Sequence, residues 1–98
     1  MTRPILFRPE AETELMEAAS WYEERGKGLG AEFLRSLDAT ISAIERNPLA
    51  YPIIFGTVRR AVLRRFPYVV IYRPQDDEIL IIACMHGRRD PKRWQERR

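Results

Sequence analysis

Cysteine is almost missing from this 98-residue chain: Cys84 stands alone, so no internal disulfide can form. Histidine is as scarce, with His86 the only one, and one thiol beside one imidazole is too small a ligand set for zinc. Long apolar runs are absent too. Stretches such as residues 78–85 are far too short to cross a bilayer. No secretory segment opens the sequence, because Met1 to Pro9 hold two arginines and two prolines and never develop an apolar core. The expectation is a cytoplasmic protein without metal or other cofactor and with no membrane partner.

Lysine is the last scarcity: 15 of the 17 basic residues are arginine. That bias favours planar, forked contacts to carboxylate or phosphate over generic solvation. The charge is also unevenly spread. Residues 1–55 carry 6 basic and 9 acidic groups, whereas residues 56–98 carry 11 basic and 5 acidic, so the second half is where a charged partner is expected. The length predicts one domain over residues 1–98, and 45% hydrophobic composition is enough to give it a core and to exclude a disordered chain.

Ile5, Leu6 and Phe7 between two prolines read as a short edge strand. Pro9 then suits the first position of a helix, with Glu10 and Glu12 complementing its dipole. Ala11, Leu15, Ala18, Ala19 and Tyr22 recur at helical spacing and form its buried stripe, and the helix ends near Gly26. The run Gly26–Gly30 lies between two helices rather than after a strand, so it reads as a helix cap and tight connection instead of a phosphate cradle. A second helix spans about Gly30 to Arg46 with Phe33, Leu34, Leu37, Ile41 and Ile44 inward, stopped by Asn47 and Pro48. The apolar connection Leu49–Thr57 is expected to fold over a core edge. Three strands follow, at Val58–Leu63, Phe66–Arg73 and Glu78–Met85. The predicted class is α+β, in the order β-α-α-β-β-β, with a two-helix hairpin on one face of a largely antiparallel sheet.

Both alternating residue sets of the last two strands are apolar, which two helices on one face do not explain. The second face must be covered by the C-terminal tail, by the loop Tyr51–Phe55 or by another chain. Arg59, Arg60, Arg64 and Arg65 have no acidic residue between Gly56 and Gln75 to neutralise them. They read equally as edge-strand protection or as a grip on an acidic or phosphate-bearing partner. His86, next to Gly87, Arg88 and Arg89, reads as a structural hydrogen-bonding residue, with proton transfer as the alternative. Asp90 and Pro91 suit the start of a final helical turn that lets Trp94 pack back on the sheet. Trp21 lies off the buried stripe of its helix and is expected to be partly exposed, as a partner anchor or under the following loop.

These residues resemble the RelE/ParE superfamily of bacterial toxins, and its ParE branch more than its RelE branch. The resemblance runs through Pro9, Ala11, Leu15 and Tyr22, then Phe33, Leu37, Ile41, Ile44 and Pro48, and sharpens in FPYVVIY at 66–72 and HGRRDPKRW at 86–94. It implies the toxin half of a type II toxin–antitoxin system, held in a hetero-oligomer by a small antitoxin that is acidic or partly disordered. ParE-type toxins inhibit DNA gyrase without being enzymes, whereas RelE-type relatives cleave messenger RNA on the ribosome. The chain departs from the cleaving pattern: residues 47–57 hold no lysine or arginine, and no tyrosine follows Tyr72.

The resemblance therefore assigns target binding to Arg59, Arg60, Arg64, Arg65, His86, Arg88 and Arg89, and antitoxin binding to Trp21, Arg60, Tyr68 and Tyr72. If the chain were a nuclease, His86, Arg64, Arg65 and Tyr68 would surround the scissile phosphate. Arginine would stabilise the phosphorane but makes a poor proton donor.

Overall fold

The structure, a computed structural model, describes residues 3–89 and 91–97. Strand β1 (Ile5–Phe7) leads into helices α1 (Pro9–Arg25) and α2 (Leu29–Arg46), then β2 (Ile53–Phe55), β3 (Val58–Val62), β4 (Tyr68–Pro74), β5 (Ile79–His86) and a short α3 (Lys92–Gln95). One five-stranded sheet results, in the order β1-β5-β4-β3-β2. β1 runs parallel to β5, and the other neighbours are antiparallel.

The helical hairpin forms where the sequence places it. Pro9 opens α1, with Glu10 and Glu12 in its first turn. At the turn, Glu23 accepts the Gly28 N–H at 3.0 Å and the Gly30 N–H at 3.0 Å. The glycine-rich amides thus hold an anion, but it is the chain's own carboxylate, and these two bonds pull the Glu23 pKa below its usual value. Gly30 must be glycine, because a Cβ there would sit 2.7 Å from the Ala19 carbonyl oxygen.

Two cores flank the sheet. On the helical side Ala11, Ala18, Phe33, Leu37 and Ile44 pack on Ala61, Val70, Tyr72, Ile79 and Ile81, and Phe33 forms edge-to-face pairs with Phe66 and Tyr68 at 5.3 and 5.2 Å. On the opposite side Val58, Val69, Ile71, Ile82, Ala83 and Met85 are closed over by Trp94 of α3, itself 5% exposed. The C-terminal tail, one of the three covers considered, therefore shields the second apolar face, with Phe55 meeting the Trp94 ring edge-on at 6.3 Å. Asp90, expected to cap that turn, lies outside the described residues.

Three expectations are corrected. Ile53, Ile54 and Phe55 do not fold inward but form the exposed edge strand β2, which pairs with only Val58 and Arg59. Leu34 faces outward at the rim of the α2 stripe. The uninterrupted alternation expected of β5 also fails. Ile71 pairs with Ala83 while Tyr72 pairs with Ile81, so Ile82 is an extra residue and the strand bulges. Ile82 and Ala83 consequently face the same core, and Cys84 is returned to the helical side.

Candidate partner-binding site

The bulge in β5 decides what stands at the end of that strand. In an unbroken strand Cys84 would share the face of Ile82. With one extra residue, Cys84 instead joins the helical core, and two positions on His86 meets Tyr68 across the ladder, with ring centroids 5.7 Å apart. Trp21 on α1 completes the group: Trp21, Tyr68, His86 and Arg89 line one cleft of about 230 Å³, with Glu14 and Glu17 on its helical wall. Trp21 is 48% exposed, and the Arg25 guanidinium stacks 3.7 Å above its ring centroid.

His86 forms a ridge. Its other flank opens, with Arg60, Arg89, Ile54 and Trp94, into a second cleft of about 240 Å³ on the α3 side of the sheet. Two antitoxin-binding candidates, Trp21 and Tyr68, and two target-binding candidates, His86 and Arg89, are therefore gathered in one place, with Arg60 just across the ridge. Arg88 is exposed on the turn after β5 and contributes its backbone.

Two groups at this site are chemically constrained. The Nδ1 atom of His86 accepts the Arg88 N–H at 3.1 Å, so the neutral ring carries its proton on Nε2. Burial holds the Tyr68 phenol above its ordinary pKa, and the nearby Cys84 adds to this while Arg89 opposes it. Beneath them, burial pushes the Cys84 thiol up to about 12, which leaves it inert at neutral pH. The arrangement supplies cations, donors and flat rings. It is suited to holding an anionic or aromatic surface.

Other predicted residues lie elsewhere. Tyr72 is fully buried, with its hydroxyl donating to the Pro48 carbonyl at 2.6 Å and its pKa pushed up to about 12 by burial, so it offers nothing to an antitoxin. Arg59 is drawn inward too, since its Nη1 donates to the Tyr51 and Leu49 carbonyls at 2.6 and 3.1 Å and ties the loop before β2 to β3. Both corrections follow from residue parity: positions 59, 61, 70 and 72 all point to the helical side of the sheet. Arg64 and Arg65 lie in the bend after β3 and border a different groove, against α2.

Sequence reasoning missed Glu14 and Arg97. Glu14 accepts the Cys84 N–H at 3.1 Å and receives both terminal nitrogens of Arg97, at 2.8 and 3.0 Å. Arg97 also reaches the Ile82 carbonyl at 3.4 Å. The two side chains cover the edge of β5 that the three-residue β1 leaves unpaired. Only the position of Glu14, one turn before Ala18 on the α1 flank, hinted at an inward role.

Comparison with known proteins agrees with this fold. The family model for the ParE toxin of the type II toxin–antitoxin system parDE matches residues 5–91. Toxin ParE2 of Mycobacterium tuberculosis, from strains CDC 1551 / Oshkosh and ATCC 25618 / H37Rv, is 33% identical over 92 residues, covering 93% of this chain and 88% of that toxin. A solved structure described as the chromosomal ParDE TA system from P. aeruginosa superposes with a TM-score of 0.75 at 16% identity, over 87% of this chain and 96% of that one. The chain belongs to the ParE family of type II toxin–antitoxin toxins.

Proposed function

We propose that this toxin arrests growth by binding a protein target, DNA gyrase, rather than by cleaving RNA, and that a cognate antitoxin neutralises it. The family supplies the gyrase and antitoxin expectations. The observation that carries the choice of inhibitor over nuclease is the state of His86, whose Nδ1 lone pair is committed to the Arg88 amide beside a phenol held protonated. Cleavage through a 2′-hydroxyl needs a base for that hydroxyl, and the Nδ1 atom of His86 is already engaged by the turn. Arg88 and Arg89, both exposed, are then target-binding residues, and His86 orders the turn that presents them.

The test is induction of the toxin alone and together with its neighbouring reading frame, followed by supercoiling and message-integrity assays on variants checked by circular dichroism. His86→Gln should remain toxic. Replacing both Arg88 and Arg89 with alanine should weaken gyrase inhibition roughly tenfold or more, as expected for the loss of charge-assisted contacts. New messenger RNA ends on induction, abolished by a folded His86→Gln, would establish the nuclease instead.

A further inference from the structure

Strand β2 ends the sheet, and none of its side chains is charged. It lies within residues 47–58, the longest stretch without lysine, arginine, aspartate or glutamate in a chain that is 32% charged. Edge strands are ordinarily kept from pairing with one another by such charges. Here Leu49, Ile53, Ile54 and Phe55, with Val62 on the neighbouring β3, are instead 38 to 61% exposed.

The backbone of this edge is open as well. Ile53 pairs with Arg59 while the Arg60 N–H donates to the Pro52 carbonyl at 3.1 Å, which makes Ile53 and Arg59 a non-hydrogen-bonded pair. The Ile53 N–H and C=O therefore point away from β3. Pro52 has the opposite orientation, so the N–H it lacks would face β3 and not the open side. One outward donor and one outward acceptor on the same residue are self-complementary. Two copies brought together antiparallel satisfy both, Ile53 to Ile53.

Charge and area favour a second copy as the occupant. Each copy carries a net charge of +3, so two copies meet most readily where cations are scarce, and the uncharged edge is that place. The exposed parts of the five apolar side chains amount to on the order of 500 Å² per copy, hence about 1,000 Å² in a two-fold contact, the lower limit for a specific interface and the size of a reversible one.

We propose that two copies of this chain pair antiparallel through β2, about a two-fold axis at Ile53, joining two five-stranded sheets into one. An axis that relates antiparallel neighbours stands perpendicular to the sheet, so both copies keep α3 on the same side. Ile54, at the seam, lines the α3-side cleft with Arg60, Arg89 and His86. The edge of the second copy therefore closes the open flank of each cleft, and two cationic ridges face one way. The pairing does not depend on the growth-arrest reading and is tested without a toxicity assay.

The test is sedimentation of the full chain over a concentration series at low and high salt. A reversible dimer is expected, with a dissociation constant on the order of 10 to 100 μM. High salt should leave it as tight or tighter, since it screens the repulsion between copies. Ile54→Lys should weaken it roughly tenfold or more, whereas Met16→Lys, on the exposed face of α1, should not. In a Cys84→Ala background, Ile53→Cys should form an intermolecular disulfide on oxidation and Met16→Cys should not. Opposed residues of a hydrogen-bonded pair have Cα atoms about 5.5 Å apart, within the reach of a disulfide. In the unaltered chain, hydrogen exchange should show the Ile53 amide gaining protection as concentration rises. A chain that stays monomeric throughout overturns the proposal, and is the result expected if the edge instead serves a segment of another protein. A dimer that salt disperses, or one that survives Ile54→Lys with the Ile53 amide unprotected, overturns it too.

Discussion

Glu14 and Arg97 lie 83 residues apart in the chain and meet through two nearly parallel bonds of 2.8 and 3.0 Å, which join the first helix to the end of the chain across the open edge of β5. The pair also anchors α3, and with it Trp94 over the second core.

Because both side chains retain some exposure, 20% for Glu14 and 14% for Arg97, the charge pair is partly screened. Arg97→Ala should cost about 1 kcal/mol. Glu14→Ala should cost about 2 to 3 kcal/mol, because it also leaves the Cys84 amide without its acceptor. Urea unfolding measures both. In a Trp21→Phe background, the remaining Trp94 emission should shift to the red for either variant as α3 loosens.

The Glu23 carboxylate is held below its ordinary pKa of 4.5 by the Gly28 and Gly30 amides. A depressed folded-state pKa means its stabilisation is fully present above about pH 4.5 and fades as pH falls through the lower folded value. Glu23→Gln should flatten that part of the acid limb in a plot of melting temperature against pH. An acid limb identical to that of the parent would show the carboxylate to be inessential to the hairpin.

Gly30→Ala should destabilise the protein by about 1 to 3 kcal/mol, since the new methyl meets the Ala19 carbonyl, a backbone atom that cannot swing aside. Gly28→Ala should also destabilise it, by about 1 kcal/mol, for a different reason. No atom lies within 4 Å of a Cβ there, but the backbone is left-handed at φ 89°. Chemical denaturation of the two variants separates steric from conformational cost.

The Cys84 thiol is raised from 9.0 to about 12 by burial, with Glu14 adding to it. It should resist a thiol reagent at pH 8 until the protein unfolds. Its folded pKa is the higher one, so its contribution to stability is complete below pH 9 and is lost as pH rises toward 12. Cys84→Ala should remove that component of the alkaline limb. Rapid labelling of the native protein would contradict the burial.

Much of the fold was legible because it rests on periodicity. The α1 stripe from Ala11 to Tyr22, the prolines at 9 and 48 and the paired apolar sets of β4 and β5 each follow from one local rule, and each is realised. The errors arose where two rules compete. Residues 53–55 are apolar enough for a core, but β3 offered them a pairing edge and they took it. Tyr72 and Arg59 were expected to meet an antitoxin and a target, whereas parity buries one and turns the other inward. The Glu14–Arg97 contact was invisible because nothing local to either residue refers to the other.

The extra residue at Ile82 gives β5 two phases. Before it, inside and outside are dictated by the packing of β1 and the helices. After it, the count starts again, and the side chains that end the strand answer to the cleft instead. Variation at positions 84 to 86 can thus change what the protein meets without shifting the frame of positions 79 to 81. Deleting Ile82 would let the strand alternate regularly and keep Cys84 and His86 on the sides they already occupy, whereas straightening the strand with Ile82 retained would turn His86 away from Tyr68 and Trp21.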